Sequence, residues 1–542
     1  MTQKLYDEFS IQQIANSIRG RYEIYGTAPE DYKWKVSEMP AAIDGLPSIS
    51  ESAEGIVRNT AQTVKLSYEG SVIPPGKFCP TTHDADATRN DWDISSYWGG
   101  AAYTQNALTK IDCSNLRSIG DYAFYNSNIE EVVFHNSNTN VLIYWDAFRK
   151  TNHLKVFDID GVRYVGHIDN LASDTLYVFA GSLSDPDNFN TDSHHQFNEG
   201  DLVFNRDDNK CYKRVNDEWT LFIPSSSFCG GPGAFKESAI EVLPIMLASG
   251  FWHNQFQTSA GFYNSMFEGC TCLRTIYIST HFGNFDSNDR KTQTLENIFK
   301  NATHLKSIWI VDPENNTLSD DLFLLNSGRL EKYMFQNCNI SNFNMSRIRY
   351  LEQYSLWGSV TNSKLSLPNI TWMKSQALRE NDSLEQLVLG DGTDNYDQNN
   401  GGDNPIAREQ NLYEITFNFY ELPILDSRNN AKKWLQDTVF VSYLGETTTE
   451  ITEGMAAGNV TINGSSTATT NKSAGPGTVV TYGGKDWERV NNKWTEWGTN
   501  GNKRPKLYFP AAQIEGVSGV LQNTKWNQLP ALSQMVTAIE GT

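Results

Sequence analysis

The 542-residue chain has little cysteine, no surplus of positive charge and no long apolar run. Its seven cysteines (Cys79, Cys113, Cys211, Cys229, Cys270, Cys272 and Cys338) are odd in number and form no Cys-x-x-Cys pair, which argues against a disulfide framework or a zinc site and favours a reducing birthplace. Cys270-Thr271-Cys272 is too tight to bridge comfortably, so core packing is its expected role. Lys and Arg total 44 against 64 Asp and Glu, a net charge of −20. Neutralising phosphates needs a basic surplus on one face, so nucleic acid is not an expected partner. The acidity serves solubility, and it would repel anionic cell-wall polymers unless locally offset. No stretch approaches the roughly 18 apolar residues that cross a bilayer, so no membrane insertion is expected.

Catalytic signatures are missing too. There is no His-Glu-x-x-His, no Gly-x-Ser-x-Gly, no P-loop and no dinucleotide fingerprint. The nine histidines are scattered, and His194-His195 lies in the polar loop 192–198, where a solvated face is expected. With 64 acidic residues, paired carboxylates occur by chance. We therefore expect no enzyme, no catalytic residue, no cofactor and no metal. Two acidic loops bear on the last point. Residues 83–93 start like a calcium loop but have Arg89 where the loop glycine belongs and Ser95 where the closing Glu belongs. The Asp- and Asn-rich stretch 391–403 reads as a solvated loop.

What the chain does have is aromatic rings and turn formers. Trp (14), Tyr (24) and Phe (27) make up 12% of the residues, beside 39 glycines and many Asn and Asp. Aromatics favour half-buried strands and Asn, Asp and Gly favour turns, so a strand-and-turn-rich protein of several domains is expected. Short amphipathic helices are predicted at the ends. Ile11, Ile14, Ala15 and Ile18 share one helical face, Ser37 can cap a segment through Ile43 that stops at Gly45, and Leu529–Gly541 carries a similar pattern. Thr63–Tyr68 is strand-like.

A repeated unit dominates the middle. Leu116–Phe134 contains Ile119-Gly120, Ala123-Phe124, an Asn-rich turn and the strand Val132-Val133-Phe134. The pattern returns at Ala147-Phe148, Met266–Ile278, Ile298-Phe299 through Ile310, Met334–Cys338 and Ala377-Leu378 through Leu389. Each copy has an apolar side that only its neighbours can cover. These copies resemble the BspA-like leucine-rich repeat over roughly residues 106–175 and 240–392. The resemblance implies a stacked scaffold. The uneven spacing of Phe124, Phe148, Phe267, Phe299 and Phe335 implies that insertions break it. The fold class expected is therefore α+β and mostly β: an interrupted leucine-rich-repeat solenoid with small β-hairpin modules and short helical terminal segments.

A second internal repeat pairs Tyr212–Phe222 with Trp487–Trp497. Tyr212-Lys213-Arg214-Val215-Asn216-Asp217-Glu218-Trp219-Thr220 aligns with Trp487-Glu488-Arg489-Val490-Asn491-Asn492-Lys493-Trp494-Thr495. An Asn-Asp or Asn-Asn pair between alternating strands reads as a tight hairpin. Its aromatics either staple a small β-meander or form an exposed platform for sugar. For the second reading the ligand-binding residues are Trp219, Trp487, Trp494 and Trp497, because stacking on a sugar needs flat exposed rings. Residues 462–477, rich in Gly, Ser and Thr, read as a linker.

The opening residues carry another resemblance. Lys4-Leu5-Tyr6-Asp7-Glu8-Phe9, Ile14–Arg19 and Tyr32–Ile43 resemble the start of structural proteins from phages of Gram-positive hosts. This implies a segment 1–50 that anchors to other virion proteins. A β-rich region 51–105 would follow, then repeats 106–200, a hairpin insertion 201–235, repeats 236–425, a connector 426–476, a hairpin module 477–500 and a C-terminal segment 501–542. The start also lacks an apolar signal-peptide core. The expected function is a non-enzymatic virion protein (tail fibre, baseplate or head fibre), made in the host cytoplasm and displaying repeats to a host-surface glycan or protein, and possible as a trimer. The alternatives are a capsid or neck decoration without a receptor, or a bacterial leucine-rich-repeat adhesin.

Overall fold

The computed structural model describes residues 64–68, 71–79, 108–113, 116–134, 141–159, 161–180, 183–248, 264–280, 295–325, 327–397, 400–402, 405–407, 412–421, 442–463, 470–474, 478–490, 492–496, 506–514 and 536–539. The helices expected at residues 11–18 and 36–43, the anchoring segment 1–50 and the acidic loop 83–93 lie outside them.

Parallel strands stack along the chain. One ladder runs Val64–Tyr68, Leu108–Cys113, Glu131–Phe134, Val156–Ile159. A second runs Val72–Ile73, Ser118–Ile119, Val141–Ile143, Ser227–Gly230, Val242–Leu247, Thr275–Ser279, Ser307–Asp312. Further on, Lys364–Leu367, Gln386–Leu389, Glu414–Phe417, Lys506–Phe509 and Val536–Ala538 pair in the same parallel sense. Parallel strands covered on both faces read as continuous apolar runs. Accordingly every residue of Val242–Leu247 and Thr275–Ser279 is buried.

Between strands, each repeat turns a corner whose geometry explains the sequence pattern. Two residues four apart take left-handed φ values between 49° and 74°: Tyr122 and Asn126, Asp146 and Lys150, Gly233 and Glu237, Ser265 and Gly269, Asn297 and Asn301, Tyr333 and Asn337, Tyr354 and Gly358, Gln376 and Glu380. Gly, Asn and Asp tolerate that region best, which is why the turns are rich in them. The two corner residues bracket the Ala-Phe or Met-Phe pair, replaced by Ile298-Phe299, Ser355-Leu356 and Ala377-Leu378 in three of the corners. The phenylalanine points inward and stacks on its equivalent in the next repeat. Phe78, Phe124, Phe148, Phe235, Phe267, Phe299 and Phe335 form one column with ring centroids 5.1, 4.9, 5.3, 5.5, 6.0 and 5.6 Å apart in turn. Each such pair adds about 0.5–1.5 kcal/mol beyond the area it buries. The Phe N–H donates to the carbonyl of the next corner, Phe124 to Ala147 at 2.7 Å and Phe267 to Ile298 at 2.9 Å.

The cysteines expected in the core are there. Cys270 and Cys338 sit just after their corners, and each Sγ donates to the Phe carbonyl of the preceding repeat, at 2.8 Å to Phe235 and 2.7 Å to Phe299. All seven cysteines are buried and unbridged.

Two modules leave this stack without breaking it. Val141–Ile143 pairs directly with Ser227–Gly230 across the first, and Glu414–Phe417 with Lys506–Phe509 across the second. The modules share one topology. In the first, Val162–Ile168 pairs parallel to Asp201–Asn205, which continues antiparallel through Lys210–Val215 and Glu218–Leu221; a hairpin of Leu176–Phe179 and Phe189–Asp192 lies between its first two strands. In the second, Ser442–Glu446 pairs parallel to Thr478–Tyr482, then Lys485–Val490 and Lys493–Glu496, with Asn459–Ile462 and Thr470–Ser473 as the hairpin. Both have a register shift in the parallel pair, and each shift involves a glycine at high positive φ: Gly166 at 149° and Gly445 at 114°. The stretch read as a linker, residues 462–477, thus holds a paired strand.

The C-terminal helix is corrected. Val536–Ala538, inside the segment expected to be helical, is a strand paired parallel with Leu507–Phe509. The open edge of Lys506–Phe509 offers backbone partners, and the β-branched Val536 and Thr537 suit a pleated neighbour better than a helix. The helical elements named among the described residues are 3-10 turns, Leu322–Leu325 and Ala511–Gln513.

Candidate functional site

The four tryptophans expected to form a sugar platform are not gathered on one exposed face. Trp494 is 0% exposed and Trp487 7%, both inside the second module's core with Ile451, Val460, Ile462 and Val480. Each strand of the meander turns one face inward, and these rings are on it. Trp219, the equivalent of Trp494, is half-buried: Phe197 meets it edge-on at 5.0 Å and the Arg214 guanidinium lies 5.4 Å from its ring centroid. Trp497 lies outside the described residues. The rings of Trp487 and Trp494 therefore have no face open to a sugar, and they act as staples.

The other sequence-level candidates resolve as follows. In the loop 391–403 the carboxylate of Asp391 accepts from the Thr393 hydroxyl and N–H, which hold it below its usual range, and Asp397 accepts from Asn400. These are turn contacts. Among the described residues no group of three or more His, Cys, Asp or Glu is placed to hold a metal ion. Burial pushes the Cys211, Cys270, Cys272 and Cys338 thiols up to about 12 and Cys229 to about 11, and lifts Cys113 still further.

Two further aromatic pairs form in the second block of repeats, one at the corners and one on the short strands before them. Tyr333 and Tyr354 occupy equivalent left-handed corner positions, so one repeat lays its ring on the next, 4.9 Å apart and 7° from parallel. Bulky residues rarely adopt that conformation, which costs on the order of 1 kcal/mol or more apiece. Cations cover the rings: Lys300 and Lys332 lie 5.6 and 5.3 Å from Tyr333, and Arg379 lies 5.9 Å from Tyr354 and 4.6 Å from Trp357. On the neighbouring ladder of Arg329–Leu330, Tyr350–Leu351 and Trp372–Met373, Tyr350 and Trp372 are 5.2 Å apart. Arg329 spans both rings, Arg349 caps Tyr350 at 5.7 Å and Lys374 caps Trp372 at 5.0 Å. Since neighbours and cations fill the ring faces, this edge presents ammonium and guanidinium groups to solvent. Arg329 and Arg379 are partly offset by Glu352 at 3.3 Å and Glu380 at 3.0 Å, whereas Lys332 and Arg349 make no ion pair among the described residues. The sequence hid this edge because its members are spread over 80 residues and meet only through stacking.

An ion network, buried at His167, Glu241 and Arg274 and exposed at Asp187, ties the first module to the repeats. Arg274 Nε donates to Glu241 at 2.9 Å, His167 Nδ1 lies 3.4 Å from the same oxygen, and Arg274 Nη2 reaches Asp187 at 3.2 Å. His304 completes the chain with Nε2 3.1 Å from Asp187.

Comparison with known proteins bears on this architecture. Residues 95–168 and 292–400 match the BspA type leucine rich repeat region, in six copies. No curated protein matches the chain significantly. Among solved structures, the chain is similar to a leucine rich cell surface protein from Faecalibacterium prausnitzii A2-165, at 12% identity and a TM-score of 0.22, over 72% of this chain and 79% of that one. The matched residues include the corner turns at Tyr122, Asp146, Asn297, Tyr333, Tyr354 and Gln376, so the similarity to BspA-type leucine-rich repeats falls on the stacked units.

Proposed function

We propose that the chain is a non-enzymatic surface-recognition protein: an interrupted leucine-rich-repeat solenoid that grips a polyanionic surface polymer, one bearing phosphodiesters or carboxylates, through the cationic edge of its second block. The observation that carries this is two stacked aromatic pairs, Tyr333 with Tyr354 and Tyr350 with Trp372, with Lys332 beside the first and Arg349 and Lys374 beside the second. On a chain of net charge −20 such an edge is the local offset that an anionic polymer requires.

The repeat family favours a bacterial surface protein of the adhesin type. The virion reading rests on the resemblance of residues 4–43 to phage structural proteins, and it would place the same edge on a particle facing its host. Binding of the purified protein to bacterial cell walls separates recognition from chemistry. We expect binding that weakens as NaCl rises past the point where the screening length falls to about 8 Å, and a loss of about tenfold or more in Arg349→Glu/Lys374→Glu. Salt-independent binding that the double variant retains would sink the role of this edge. Release of new reducing ends from wall glycans would overturn the non-enzymatic reading. Labelled antibody on cells and on phage particles tells the two settings apart.

A further inference from the structure

The first module folds back over the repeats and leaves a cavity of about 300 Å³ between them. Its floor is built from the repeats. Glu130 and Lys155 hold equivalent positions at the entry of successive strands, with the Lys155 N–H donating to the Glu130 carbonyl at 2.9 Å. Ala239, where a larger side chain would fill the space, leaves it open. The roof comes from the module: Arg163 and Tyr164 on one strand, Leu176, Val178 and Phe179 on the next, and His195 from the loop beyond.

Two charged side chains beside this space are unused. The side chains of Glu130 and Lys155 make no hydrogen bond or ion pair among the described residues. Tyr164 is only 3% exposed and its hydroxyl faces the Glu241 carboxylate, while the buried Nε2 of His195 lies 3.9 Å from Asp201. Glu131 and Glu241 also face the cavity but are occupied, Glu131 by Lys110 at 2.8 Å and by the half-exposed Arg163 at 4.0 Å, and Glu241 by Arg274 at 2.9 Å. Charged side chains left without a protein partner beside a cavity can be satisfied by a ligand that carries the opposite charges. The arrangement has a cationic side (Lys155, Arg163), a free carboxylate (Glu130) and an apolar wall (Leu176, Val178, Phe179). The volume is at the small end of ligand pockets, which run from about 300 to 1,000 Å³.

We propose that this cavity binds a small α-amino-acid zwitterion with an apolar side chain. Its carboxylate meets Lys155 and Arg163, its ammonium meets Glu130, and its side chain lies along Leu176, Val178 and Phe179. Tyr164 and His195 complete the polar rim. The site is separate from the cationic edge, and its occupancy does not depend on that edge.

Titration of the full chain with L-leucine, followed by calorimetry and saturation-transfer NMR, tests this. Leucine is expected to bind saturably, with leucinamide and N-acetyl-leucine each about tenfold weaker or worse, because each lacks one charge. Lys155→Met and Glu130→Gln alter half-buried side chains without internal partners, so both are expected to fold with wild-type circular dichroism. Each should weaken leucine about tenfold, and Lys155→Met should no longer discriminate against leucinamide. Absence of saturable leucine binding to the folded wild type overturns the proposal. So does leucine affinity unchanged in both variants, or equal affinity of the wild type for leucine and its two blocked analogues.

Discussion

Glu488 stands in the strand Lys485–Val490 opposite Thr495, at the position Lys213 holds in the first module. Burial raises its carboxyl from 4.5 to about 7. A carboxyl that binds its proton more tightly folded than unfolded leaves stability intact below the unfolded value, and stability is lost as pH rises from about 4.5 through 7. The loss amounts to about 3 kcal/mol at most. Glu488→Gln is therefore expected to raise amide-exchange protection in Thr478–Tyr482 and Lys485–Val490 at pH 8, and to change it little at pH 4.5. Equal effects at both would place the cause elsewhere. Cysteine gives a second residue-scale expectation. With the thiols of Cys211, Cys229, Cys270, Cys272 and Cys338 pushed to about 11 or 12 by burial, almost no thiolate exists at pH 8. Mass spectrometry after iodoacetamide treatment should find these five unmodified in the native chain and alkylated in guanidinium. The sequence marked Cys270 as core, but could not show that its Sγ closes the gap to the Phe235 carbonyl, because that contact joins two repeats.

Within the repeat, the phenylalanine column does what a leucine seam does elsewhere. Phe267 lies 5.5 Å from Phe235 and 6.0 Å from Phe299, and it is fully buried. Phe267→Ala removes two stacks and opens a cavity, for an expected loss of about 3–5 kcal/mol, against less than about 1.5 kcal/mol for a well-repacked Phe267→Leu. Urea unfolding followed by circular dichroism measures both. A loss below about 1 kcal/mol for Phe267→Ala would mean that the column is not continuous through this repeat. The second module makes an expectation of its own. Glu414–Phe417 pairs directly with Lys506–Phe509, so the stack does not need what lies between for its register. Replacing residues 442–496 with a short Gly/Ser linker should leave exchange protection at Ile415 and Leu507 near wild type, and melting of that ladder would show that the module braces it. The two modules were visible as a short aromatic repeat. Their common parallel strand was not, because Val162–Ile168 and Ser442–Glu446 share no obvious sequence pattern.

At the scale of the molecule, charge is separated from its average. The chain carries −20 overall, yet Lys300, Lys332 and Arg379 gather on the Tyr333–Tyr354 stack and Arg329, Arg349 and Lys374 on the Tyr350–Trp372 pair. If the cationic edge is the contact surface, its charge reversal should lower the association rate with a polyanion and flatten the salt dependence, while charge-neutral changes at Trp487 should act only on stability. Stopped-flow association at two ionic strengths distinguishes these effects.

The repeat pattern, the core placement of Cys270 and Cys272 and the paired hairpins were legible in the residues. All of them follow from local rules: apolar periodicity, the backbone freedom of Gly and Asn, and the turn chemistry of Asn-Asp. Which way an aromatic ring points was not legible, since the face of a meander strand that turns inward depends on what packs against it. The burial of Trp487 and Trp494, the strand at Val536–Ala538, the cationic edge and the cavity above Glu130 and Lys155 were all decided by tertiary structure. Each rests on residues 20 to more than 100 positions apart, or on an open strand edge, and no local preference reaches that far.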